Sequence, residues 1–97
     1  MTADEIQTFL RESRDEYLKS ERIENPPFPR RDLCAFVKLH ELCPQEQNLL
    51  GGASHDVIFF SMGLEELAER ATETDLIYLH RCGVRYDTSG DSLAMYV

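Results

Sequence analysis

The chain has 97 residues, 42% hydrophobic and 29% charged, which suits one folded domain with a single modest core and argues against disorder of the whole. Its formal net charge is −8, and residues 56–97 carry eight acids against three bases. Such a surface repels phosphate backbones and anionic membranes at long range, and it suits a basic partner or serves solubility alone.

The first element is a predicted helix over about residues 3–22. Thr2 and Glu5 have the T-x-x-E spacing of a capping box, and Met1 and Ile6 stand where a hydrophobic staple would be. Ile6, Phe9, Leu10 and Tyr17 share one thin apolar face, and Arg11/Asp15 and Asp15/Lys19 have i,i+4 spacing. So thin a stripe needs a neighbour. Residues 1–24 are therefore expected to fold back on the domain or to swap onto a second copy as a homodimer. NPPFPRR, residues 25–31, cannot continue a helix and reads as a stiff connector. Its Pro26-x-x-Pro29 spacing also fits a proline-rich ligand, a pattern common by chance.

Residues 32–97 form the expected compact domain. Asp32 is the expected cap of a second helix, whose face is Leu33, Phe36, Val37, Leu39, His40 and Cys43, and Pro44 ends it. Gly51-Gly52 reads as a turn. Asp56 to Ser61 reads as a short buried strand, rich in β-branched and aromatic residues. Ser61 is the expected cap of a third helix with Leu64, Leu67, Ala68 and Ala71 inward. Thr72 and Asp75 form a second capping pair, and DLIYLHRCG reads as a short helix ending at Gly83, with a strand over 76–80 as the alternative. Then Val84 and Tyr86 alternate with Arg85 and Asp87, TSGDS turns, and Leu93, Met95 and Val97 share one face of a returning strand.

The fold class is thus α+β: an N-terminal helix, then helix, strand, helix, helix and β-hairpin on a small antiparallel sheet. From residue 32 this order resembles a winged helix, carried by LEELAERATETDLIYLHRCGV and by RYDTSGDSLAMYV as the wing. The resemblance implies that residues 74–82 enter a DNA major groove. The charges depart from that family. The segment offers Thr74, Asp75, Tyr78, His80 and Arg81, and the wing carries Asp87 and Asp91 against Arg85, where a DNA reader neutralises several phosphates with Lys and Arg.

Residues with reactive side chains are scattered. Cys34, Cys43 and Cys82, an odd number in a chain with no apolar leader and no membrane-length run, suit a reducing, cytoplasmic setting. Only His40-x-x-Cys43 and His80-x-Cys82 approach metal-ligand spacing, so no metal or cofactor is expected, and a thiol or metal sensor is the last alternative. Ser54, His55 and Asp56 are consecutive and diverge, and no phosphate-cradling glycine loop is present, so no catalysis is expected.

The remaining feature is the acidic row Glu65, Glu66, Glu69 and Glu73, read on one face of one helix, with Asp75 following. It singles out these five as partner-binding residues. The expected function is a small non-catalytic interaction module or inhibitor that docks a basic, nucleic-acid-binding protein, such as a nucleic-acid mimic of phage or mobile-element type. A winged-helix DNA-binding regulator is the alternative.

Overall fold

The computed structural model describes residues 1–45, 48–88 and 92–96. Thr2 opens helix α1, Ala3–Glu12: its Oγ1 accepts from the Glu5 N–H at 3.2 Å, and the Glu5 carboxylate accepts from the Thr2 N–H at 3.1 Å. The capping box read from the sequence is therefore formed.

The helix stops ten residues earlier than its pattern predicts. The Ser13 N–H and hydroxyl both donate to the Phe9 carbonyl, at 2.9 and 2.7 Å, and the Leu10 carbonyl, the next helical acceptor, is met by His80 Nε2 at 2.9 Å instead. Two short 3-10 turns follow, Arg14–Glu16 and Ser20–Arg22, with Leu18 between them at φ +62°. A leucine there is strained, and tertiary contacts hold it. The Leu18 N–H donates to the His80 carbonyl at 3.0 Å, and the Tyr17 ring meets the His80 ring edge-on. The expected Arg11/Asp15 and Asp15/Lys19 pairs are absent among the described ion pairs, because no helix carries them.

Helix α2, Arg31–Leu42, has no side-chain cap; Asp32 instead pairs with Arg30 at 2.6 Å and accepts from the Leu33 N–H. Cys34, Ala35 and Leu39 are its buried residues, while Leu33 and His40, expected on that face, are exposed. Strands β1, Leu50–Ser54, and β2, Val57–Phe60, form a hairpin closed by His55 and Asp56. Strand β1 replaces the turn expected at Gly51-Gly52. A bulge lies between Leu50 and Gly52, and a Cβ on Gly51 would come within 3.3 Å of Ser61 Cα, so glycine permits the close approach.

Ser61 is not a helix cap: its hydroxyl donates to the Asn48 and Leu49 carbonyls, and Gly63 holds the N-cap position of α3, Leu64–Arg70. Helix α4, Glu73–Arg81, opens on the Thr72/Asp75 capping box, and residues 76–80 are helical. Strands β3, Val84–Asp87, and β4, Ser92–Tyr96, pair from Val84↔Met95 to Asp87↔Ser92, as the alternation predicts. The expected turn residues 89–91, with Asp91, and the expected strand residue Val97 lie outside the described residues. All neighbours in the sheet, ordered β1-β2-β4-β3, are antiparallel, so the domain is α+β. Among the described residues, no helix is long and apolar enough to cross a membrane.

The core lies between the helices and one sheet face. Ile6 and Leu10 of α1 enter it with Leu39, Leu67, Leu76, Leu79, Val84, Leu93 and Met95. The thin stripe of the N-terminal helix is thus covered within its own chain, and a homodimer through it would require exchange of the segment. Gly83 joins α4 to β3 at φ +99°, and a Cβ there would meet Leu18 Cδ2 at 3.0 Å. Gly83→Ala is expected to cost about 1–3 kcal/mol, mostly as backbone strain since the Leu18 tip can move. The urea midpoint reads this directly.

Candidate functional site

Glu65 and Glu66 fall in the first turn of α3, where the helix dipole favours them, and Glu69 stands one turn on. All three are exposed. The row is broken after Arg70. Residues 71 and 72 leave the helix, and Glu73 is the first residue of α4, so the four glutamates do not share one helix as their spacing predicts. Among the described residues, none of the four makes an ion pair; Glu66 accepts a hydrogen bond from the Gln45 amide at 3.3 Å.

Asp75 is placed differently. Its carboxylate closes the α4 capping box and pairs with Lys38 at 2.9 Å. Burial raises its pKa, but hydrogen bonds from Thr72 and Lys38 outweigh that and hold it below the ordinary 3.8. Asp75 therefore ties α4 to α2 and is a poor point of contact for a partner.

Glu73 gains neighbours that sequence reasoning missed. It lines a groove of about 320 Å³ with Asp4, Glu5 and Glu12 of α1, and with the half-buried Phe9. Among the described residues no Lys or Arg side chain lines this groove, which Met1, whose amino group donates to the Ala68 carbonyl at 3.4 Å, also borders. Its acids come from residues 4–12 and 73, which are brought together by packing of α1 on α3 and α4. Of these acids the sequence singles out only Glu5, as a capping residue, and Glu73, in the acidic row.

The side chains that a DNA-reading α4 would need are engaged elsewhere. His80 is buried, with Nε2 2.9 Å from the Leu10 carbonyl. Arg81 pairs with Glu16 at 2.6 Å and donates to the Arg22 carbonyl, and Tyr78 lies under Lys38. The Glu16 pKa is lowered, first by the hydrogen bond from Arg81; burial opposes this, and the charges of Arg81 and Arg22 then add to the lowering. Both Glu16 and Asp75 thus contribute stability that is present above pH 4.5 and 3.8, their ordinary values, and is lost as pH falls through the lower folded values. Glu16→Gln and Asp75→Asn are expected to be destabilising at pH 7 and to converge on the parent chain as pH falls through the lowered folded values, as urea midpoints across pH would show.

The three thiols are buried. Burial pushes Cys82 up to about 12, and burial and then Glu66 push Cys43 up, so neither supplies a thiolate at neutral pH. Among the described residues, no three His, Cys, Asp or Glu side chains gather as a metal site.

Comparison with protein-family models, with curated proteins and with solved structures finds no match for this chain.

Proposed function

We propose that the chain is a small non-catalytic interaction module whose acidic side docks a basic protein partner, in its sharpest form a protein that stands in for nucleic acid on a nucleic-acid-binding protein. One observation carries this reading: the groove of Asp4, Glu5, Glu12 and Glu73 around Phe9, with no Lys or Arg side chain lining it among the described residues. Four carboxylates give long-range attraction and on-rate, and the aromatic ring gives apolar contact for the stem of an Arg or Lys. Glu65, Glu66 and Glu69 on α3, the helix against which α1 packs, extend the negative field. The engagement of His80 and Arg81 by the N-terminal segment counts against the DNA-reading alternative.

The test is capture of partners by the tagged chain from its native lysate, with and without nuclease, over a salt series. The reading expects a basic protein in both samples, released as salt rises. DNA recovered without nuclease, with every protein lost on digestion, would overturn it in favour of the winged-helix alternative.

A further inference from the structure

On the opposite charge extreme, Arg11, Arg14 and Arg85 line one cavity of about 420 Å³ with Tyr17, Tyr86 and His80, between the end of α1, the first 3-10 turn and strand β3. Among the described residues no acid lines it, although the chain as a whole carries −8. Arg11 and Arg14 make no ion pair among the described residues, and Arg85 stands 3.8 Å from Asp87 with its guanidinium 4.4 Å above the Tyr96 ring. Arg85 thus keeps one long ion pair, while Arg11 and Arg14 bring two further guanidiniums to the same space with no ion pair of their own among the described residues.

Two buried polar atoms here also lack a hydrogen-bond partner among the described residues, Arg85 Nε and His80 Nδ1. His80 is 3% exposed. Its Nε2 lies against a carbonyl, which only accepts, so Nε2 carries the hydrogen and Nδ1 keeps a bare lone pair. Burial lowers the His80 pKa, with the Leu10 carbonyl, Asp15 and Glu16 opposing, so the ring is neutral near pH 7. Arg85 Nε is a buried donor with nothing to donate to. Buried groups of this kind are uncommon, and an ordered water, an ion or a ligand is what completes them. The cavity volume is in the range of small-molecule sites.

We infer that this cavity binds a small organic anion: a phosphate or carboxylate head held by Arg11, Arg14 and Arg85, on a single-ring body placed against Tyr17 and Tyr86. Guanidinium forks match both oxyanions, and the tyrosine rings supply stacking area. The site is separate from the acidic groove and does not depend on the function proposed above.

The test is titration of the full chain with phenyl phosphate, benzoate, inorganic phosphate and benzyl alcohol, followed by calorimetry and by NMR of the arginine Nε–H and histidine ring signals. Phenyl phosphate or benzoate is expected to bind and to shift the Arg85 Nε–H and His80 ring signals, with inorganic phosphate weaker and benzyl alcohol inert. The stronger of the first two identifies a phosphate or a carboxylate head. Arg11→Ala with Arg14→Ala, both at exposed positions and so expected to fold, should weaken binding by about tenfold or more. Absence of binding by both aromatic anions, binding that survives the double substitution, or shifts confined to other residues would overturn the inference.

Discussion

Ile6→Ala is expected to lower the melting temperature by at least about 10 °C, the largest effect of any single side chain in the N-terminal segment. Ile6 is 0% exposed and belongs to the same core as Leu67, Leu76 and Leu79. Removing its branched side chain forfeits transfer energy and leaves a cavity, together about 2–5 kcal/mol. A domain of this size has about 5–15 kcal/mol in total, so the loss is a large share of it. Deleting residues 1–24 removes Ile6 and Leu10 together, strips the cover from α3 and α4, and breaks the Glu16–Arg81 pair. The chain from residue 25 is expected to lack cooperative unfolding by circular dichroism. A truncated chain that folds as a monomer, beside a full chain that sediments as a dimer, would show instead that the segment is exchanged between copies.

That dependence was only partly legible in the sequence. Thr2 with Glu5 and Thr72 with Asp75 are local signals, four residues each, and both capping boxes formed as read. The β3–β4 register followed from strict alternation. The extent of the first helix did not, because charged residues at i,i+4 spacing look helical whether or not the helix continues. What ends it is the bond between His80 and the Leu10 carbonyl and the seat that α4 gives Leu18 and Tyr17, and both come from residues more than 60 positions away. Strand β1 failed for the opposite reason. LGGAS has no β-forming pattern; its pairing with β2 supplies the strand, and its glycines admit Ser61.

The candidate sites show the same division. Glu65, Glu66 and Glu69 were visible as a charge row because they are neighbours on one helix. Asp75 looked like a fifth member but is occupied by Thr72 and Lys38, a contact between α2 and α4 that spacing cannot foretell. Asp4, Glu5 and Glu12 join Glu73 only through packing of α1 on α3 and α4. The arginine-lined cavity gathers residues from two ends of the chain, 7–17 and 80–88, and neither stretch is basic enough on its own to attract notice.

Reversal of Glu65, Glu66 and Glu69 to Lys is expected to abolish capture of the basic partner while the chain still folds. The three side chains are exposed, so no buried contact is lost. Lys in the first turn of α3 opposes the helix dipole and costs about 0.3–1 kcal/mol per residue there, which a domain of ordinary stability survives. Like charges set against a basic surface cost several kcal/mol, enough to remove binding of ordinary affinity. Net charge alone would also weaken capture, so a control is needed with the same change placed elsewhere. Glu21→Lys, Glu41→Lys and Asp56→Lys, exposed on the second 3-10 turn, α2 and the β1–β2 turn, meet that need. The control is expected to retain the partner at physiological salt with a modest loss. Glu65→Gln, Glu66→Gln and Glu69→Gln should fall between the two and flatten the dependence of affinity on salt, since fewer charges then contribute to attraction. Equal loss in the reversal and the control would mean that total charge governs capture and that α3 makes no contact. Full retention in the reversal would remove α3 from the interface and leave the groove of Asp4, Glu5, Glu12 and Glu73 to carry it alone.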